Sequence, residues 1–286
     1  MCNIRKECDP VKILQMADAV RYPTMTTEEM RETFLLSDLF QPGKVCLTYV
    51  DLDRTVIGSA VPTSEPLPLL TDDALKAEYF TERRELGILN IGAAGTVSVN
   101  GTAHVLKQLD ALYVGRGNEK IVFFSVDPKH PAEFYLLSYP AHAVYPTRLI
   151  HSADEPKTTL GSAETANLRD ITKVIHLEGA RSCQLVMGFT QLASGSVWNT
   201  MPAHTHMRRS EVYLYFNIAE GQRVIHLMGP GDETRHLVIA DKQVVISPGW
   251  SIHAGVGTKN YTFCWGMGGE NQVYSDMDPV GITDMK

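Results

Sequence analysis

Several classes of protein are excluded by what this chain lacks. Five cysteines, at positions 2, 8, 46, 183 and 264, are odd in number, scattered and without a CxxC pair. They support neither a disulfide framework nor a thiolate metal site, and they fit a reducing cytosol. No apolar run approaches the about 18 residues needed to span a membrane. The opening MCNIRKECDPVKI has no apolar core of the kind a secretory signal requires. A formal net charge of −7 supplies no basic surface for nucleic acid or an anionic membrane. An anionic ligand would therefore have to be attracted by local basic residues. There is no GxSxG, no cysteine in a motif with a nearby histidine, and no strand–GxGxxG–helix; GMGG at 266–269 reads as a turn. Nucleophilic catalysis and nucleotide binding are thereby set aside.

What is present is mostly β-strand. Thr26 or Thr27 caps a short amphipathic helix at about 27–37, with Met30, Phe34 and Leu35 at helical spacing and QPG at 41–43 as its end. From Lys44 to Pro146, short runs of strand formers alternate with Gly and Asn punctuation, including ELGILNIGAAGTVSVNG with a tight turn at Asn100-Gly101. Residues 150–170 are polar and aperiodic, the best linker, and the same β pattern resumes after them. The chain reads as all-β: residues 1–160 form a helical extension and a barrel without metal, and residues 161–286 a metal-binding barrel. In the first half His104, His130, His142 and His151 are spread along the chain and read as surface or loop residues. Its Glu82-Arg83-Arg84-Glu85 run reads as an exposed or intersubunit ion-pair network.

The second half carries GSVWNTMPAHTHMRRSEVYLYFNIAEG at 195–221. Side chains two apart on a strand share a face, so His204 and His206 project together. Glu211 lies five residues on, an odd offset that needs a turn at 207–210 and a hairpin to bring it back. His253 follows the Pro248-Gly249 turn and is expected from another strand of the same sheet. Three imidazoles and a carboxylate suit Zn²⁺, Mn²⁺, Fe²⁺ or Ni²⁺. Open positions on such an ion would accept the oxygens of an α-hydroxy carbonyl compound, polarising it for aldose–ketose isomerisation.

HxH, four residues, Glu and a downstream PG…H resemble the two metal motifs of cupin barrels. Longer stretches resemble the 5-keto-4-deoxyuronate isomerase family: WNTMPAHTHMRRSEVYLYFN, DETRH at 232–236, SPGWSIHAGVGTKNYTFCWGMGGENQVYSDMD, ERRELGILNIGAAGTVSVNG at 82–101 and DALYVGRG at 110–117. Met207 stands where that family usually has an acidic residue, a change at the site mouth that leaves the four ligands in place. The resemblance implies tandem jelly-roll-like cupin barrels and zinc on His204, His206, Glu211 and His253. It also implies a homohexamer, a uronate substrate from pectin-type breakdown, and interconversion of 5-dehydro-4-deoxy-D-glucuronate and 3-deoxy-D-glycero-2,5-hexodiulosonate.

Other polar residues are weaker candidates. Tyr213 shares the parity of Glu211 and can move a proton; Tyr261 and Glu270 lie near the last ligand in sequence. Arg208, Arg209 and Lys259 are candidates for a substrate carboxylate. Arg235 and His236 start a strand and read as structural, and Phe263–Trp265 and Trp198 as core. Two rival functions are an Fe(II) dioxygenase on the same cupin site and a non-catalytic carbohydrate-binding bicupin.

Overall fold

The computed structural model describes residues 11–286; Cys2 and Cys8 lie outside them. The first helix runs Thr27–Phe34 and opens on a capping box: Thr26 accepts from Glu29 N while the Glu29 carboxylate accepts from Thr26 N. It stops three residues sooner than the spacing predicts. Leu35–Leu36 turns extended and pairs with Val244 and Val245 of the Gln243–Ser247 strand, burying both leucines. An edge-strand partner with two buried side chains outweighs one more helical turn.

The chain then forms two pairs of sheets. The first half contributes a seven-stranded and a four-stranded sheet, and the second half repeats the arrangement as a jelly-roll-like sandwich. Arg148–Ile150 still pairs within the first half, whereas Lys157–Leu160 already pairs with Arg169–Ile175 of the second. The polar 150–170 stretch is thus partly strand. Asn100 and Gly101 take the left-handed backbone (φ 49° and 87°) that a tight hairpin between Gly95–Val99 and Thr102–Leu106 requires.

Both seven-stranded sheets are buried on two faces, and alternation sorts their side chains. In Arg84–Asn90, Leu86 and Ile88 face the first half's own core while Leu89 faces the other half. In Ser210–Phe216, Val212 and Leu214 enter a core shared with Ile57, Leu137 and Tyr139 of the first half; Tyr213 and Tyr215 point into the second half's interior. Gly266 and Gly268, expected in a turn, lie in the Thr262–Gly268 strand. A Cβ on Gly266 would collide with Leu137, and one on Gly268 with the Tyr139 ring. Glycine is what lets the two large sheets approach there.

The Glu82–Glu85 run is a second departure. Glu85 is fully buried, and its carboxylate accepts from the backbone N–H of Cys183 (2.6 Å), Gln184 (2.9 Å) and Leu185 (2.9 Å) and from the Tyr113 hydroxyl (2.9 Å). It ties the halves together instead of joining an exposed network. Arg235 is structural as expected, donating to Met25 O at 2.5 Å and lying over the Tyr22 ring.

Candidate metal centre

His204 and Thr205 form a two-residue strand that pairs with Asp278–Pro279, not with the strand that carries Glu211. The expected ladder hairpin is therefore absent, and a turn closed by Arg209 N donating to His206 O (3.1 Å) does its work. Ser210–Phe216 then begins in the seven-stranded sheet, with Ser210 N held by Asp53 Oδ2 at 3.0 Å. His253 belongs to Ile252–Gly257 in the four-stranded sheet, so it meets Glu211 from the opposite layer. The expectation of a common sheet was wrong because the Pro248-Gly249 turn carries the chain across the sandwich.

The four side chains converge. One ligand atom from each of His204, His206, Glu211 and His253 lies within 4.8 Å of the others. Glu211 Oε2 is 2.9 Å from His206 Nε2 and 2.9 Å from His253 Nε2, and the Nε2 atoms of His204 and His253 are 3.0 Å apart. The outer nitrogens of two of the three imidazoles face a carbonyl: His206 Nδ1 is 2.9 Å from Arg209 O, and His253 Nδ1 is 3.3 Å from Ser251 O. A carbonyl only accepts, so in His206 and His253 Nδ1 carries the hydrogen and, in the neutral ring, Nε2 presents a lone pair inward. Lone pairs from imidazoles and a carboxylate then crowd one point in a dry interior, an arrangement suited to a cation. Burial, reinforced by the neighbouring His253, pushes His204 down to about 4, which keeps it neutral and able to ligate. Burial would raise the Glu211 carboxyl, but the charge of His253 and the hydrogen bonds from His206 and His253, which these rings supply when they carry a second proton in place of an ion, outweigh it and hold the carboxyl below its usual range.

Three of them, His204, His206 and Glu211, line a cavity of about 400 Å³ whose other walls come largely from the seven-stranded sheet of the second half. Tyr213 lines it as its parity predicts, its hydroxyl 3.0 Å from Thr200 Oγ1. Burial, then the Glu211 charge, push that phenol far up, so it stays protonated. Arg209 also lines the cavity, yet it is 1% exposed and committed to Asp276, with Nη2 2.6 Å and Nε 3.1 Å from Oδ1. Arg208 bonds the other oxygen of Asp276 at 2.9 Å and stands outside the cavity walls, as does its exposed neighbour Glu270. Tyr261 is buried against Asn199 Nδ2 (2.6 Å), and Lys259 is exposed; neither lines the cavity. Phe263, Trp265 and Met267 form its apolar wall, while Met207, 72% exposed, lies outside it.

Two basic residues escaped the sequence reading. Arg169 and Lys173 line the same cavity with Ile171 between them. The signal was there: positions 169, 171 and 173 share one face of the Arg169–Ile175 strand. That segment begins at the edge of the polar 150–170 stretch, where isolated charges read as part of a linker.

The profile of the KduI/IolB family matches residues 37–280. The chain belongs to the KduI/IolB family. It is 53% identical over 265 residues to a 4-deoxy-L-threo-5-hexosulose-uronate ketol-isomerase of Shouchella clausii, covering 93% of this chain and 96% of the relative. It is 54% identical over 260 residues to an enzyme of the same name from Formosa agariphila, covering 91% and 93%. Among solved structures, an IolB-like protein from Salmonella typhimurium superposes with a TM-score of 0.69 at 13% identity, covering 87% of this chain and 97% of that one. YlbA from E. coli gives a TM-score of 0.57 at 11% identity, covering 84% and 88%. These distant likenesses show the fold alone. The sequence relatives show that this family member is an enzyme of the isomerase class.

Proposed function

We propose that the chain is a metal-dependent ketol-isomerase that interconverts 5-dehydro-4-deoxy-D-glucuronate and 3-deoxy-D-glycero-2,5-hexodiulosonate. The observation that carries this reading is the convergence of His204, His206, Glu211 and His253, the first three on the wall of a cavity that also presents Arg169 and Lys173. The four side chains would hold the ion, and a divalent ion supplies Lewis-acid polarisation of a carbonyl. Zinc is the ion of this reading, since the N₃O donor set suits it. A homohexamer in the cytosol, with the metal confined to residues 161–286 and the division near residue 160, completes it; these elements rest on the family resemblance and the strand pattern.

The chain's own groups divide the remaining work. The substrate carries a carboxylate, and Arg169 and Lys173 supply the positive charge that binds and orients it. Aldose–ketose isomerisation moves one hydrogen from C2 to C1 and one from O2 to O1. Tyr213, held protonated beside Glu211, is suited to donate a proton or a hydrogen bond to the oxygen that becomes a hydroxyl. Phe263, Trp265 and Met267 exclude water from that exchange.

The test is metal content by elemental analysis together with an isomerase assay on the unsaturated-uronate product, for the wild type and Glu211→Gln. Near-stoichiometric metal with turnover, both lost in the variant, is expected. Full turnover by metal-free protein would overturn the metal, and loaded protein without turnover would overturn the reaction.

A further inference from the structure

The second arginine of the Glu82–Glu85 run is left with an uncompensated charge. Arg84 is 8% exposed, and its guanidinium meets only neutral acceptors: Nε donates to Ser138 Oγ at 3.1 Å, and Nη2 to Ser138 O at 2.9 Å and Arg54 O at 2.5 Å. Nη1 has no hydrogen-bond acceptor among the described residues. The ionisable groups facing Arg84 are the phenols of Tyr49 and Tyr139, not carboxylates. A buried cation without a counter-charge is costly, so the place where it is tolerated invites a partner.

A cavity of about 250 Å³ opens beside this guanidinium, and Tyr49, Arg54, Leu75, Arg83 and Pro140 share its walls with Arg84. Among the described residues no Asp or Glu lines it. Arg83 donates only to the carbonyls of Leu75 and Lys76, and the Arg54 guanidinium has no hydrogen-bond or ion-pair partner among the described residues. The backbone holding Arg54 is itself unusual. Asp53 and Arg54 both adopt left-handed φ (50° and 53°), a conformation that is strained for a non-glycine residue. That strain is sustained by fixed contacts, Asp53 Oδ2 with Ser210 N and Arg54 O with Arg84, and the turn sets Arg54 on the cavity wall.

We propose that this cavity binds a small oxyanion, a phosphate or carboxylate group carried by a small solute, between Arg54, Arg83 and Arg84. Three guanidinium forks match the oxygens of either group, and the anion supplies the charge that Arg84 lacks. The site shares no wall with the cavity at Glu211, so it is not a subsite of the isomerase centre.

The test is calorimetric titration of the full-length, metal-loaded protein with inorganic phosphate and, separately, with D-glucuronate. It compares the wild type, Arg54→Gln/Arg83→Gln and Lys173→Met. Neither substituted arginine is fully buried, so the double variant is expected to fold, which a thermal melt checks. Saturable phosphate binding that weakens about tenfold or more in the double variant, and a glucuronate component that is lost in the double variant but kept in Lys173→Met, are the expected results. The tighter of the two ions tells whether the solute is a phosphate or a sugar acid. Absence of saturable binding by both ions, as when a carboxylate of a second subunit already fills the cavity, overturns the proposal. So does equal binding by the wild type and the double variant.

Discussion

Replacing Asp276 with asparagine should reach the metal centre without touching a ligand. Asp276 is the counter-charge of Arg209, whose guanidinium is 1% exposed and otherwise meets only the Met267 sulfur and Tyr274 O at 3.4 Å. The substituted amide would keep the shape and one acceptor but leave the buried cation uncompensated. Breaking a fully buried pair from one side costs about 3–5 kcal/mol. Because the Asp276 side chain is 28% exposed, water offsets part of this, and we expect about 2–3 kcal/mol from denaturant unfolding of the chelated protein. The second consequence runs through the backbone: Arg209 O accepts from His206 Nδ1 at 2.9 Å and fixes the tautomer that presents Nε2 inward. Loosening a partner of this kind typically lowers metal affinity about 10–100-fold, which competition with a fluorescent chelator measures. The pH dependence has a definite sign. Burial would raise the Asp276 carboxyl, but the hydrogen bonds and charge of Arg209 outweigh it and hold the carboxyl below its usual range. A depressed folded value stabilises the fold above the unfolded value of about 3.9 and is lost as pH falls through the folded one. The gap between wild type and variant should thus be flat from about pH 5 to 8 and close only below about pH 4. Unchanged metal affinity in a destabilised Asp276→Asn would refute the link through Arg209.

Glu85→Gln removes the charge that four donors converge on and should cost about 2–4 kcal/mol in equilibrium unfolding; an unaltered midpoint would show that the joint between halves does not depend on it. Arg169→Gln and Lys173→Met should each raise KM about tenfold while kcat changes little, because uniform binding of a carboxylate is lost. A fall in kcat alone would remove them from the carboxylate's neighbourhood. Tyr213→Phe should retain its metal and lose about 100-fold in kcat, and wild-type turnover in that variant would end its role as a proton donor.

Residue spacing already revealed much of the site, since HxH, the odd offset to Glu211 and the later His253 locate all four converging side chains. The inward face of Tyr213 follows from parity with Glu211 and needed no structure. What spacing could not carry was connectivity across layers. His253 comes from the opposite sheet, and His204–Thr205 pairs with Asp278–Pro279, a segment about seventy residues away whose pairing no local pattern encodes. Helix length failed for a related reason: Leu35 and Leu36 continue the helical spacing but gain more from pairing with Val244 and Val245. The arginines at 208 and 209 look equivalent in sequence and share Asp276, and only their packing separates the buried Arg209 from the partly exposed Arg208. Glu85 reads as one more surface charge until its three backbone donors, nearly a hundred residues on, are seen.

Among the described residues the four candidate ligands all lie in the second half, and the first half still shapes their placement. Strand Ser210–Phe216 is anchored on both faces: Glu211 and Tyr213 enter the cavity, while Val212 and Leu214 are packed in the core shared with the first half. A ligand strand covered by water on its second face could slide or twist by a residue, which would turn Glu211 away from the histidines. Here that face meets Ile57, Leu137 and Tyr139, the next strand is pressed against Leu137 and Tyr139 through Gly266 and Gly268, and Asp53 holds the first N–H of the ligand strand at Ser210. Each of these contacts comes from the first half, and each fixes register or orientation at the residue before Glu211 or directly behind it. The first half, which holds none of these four side chains, is therefore tied to the site by packing, and substitutions at Leu137 or Asp53 should act on the placement of Glu211 through the strand they support.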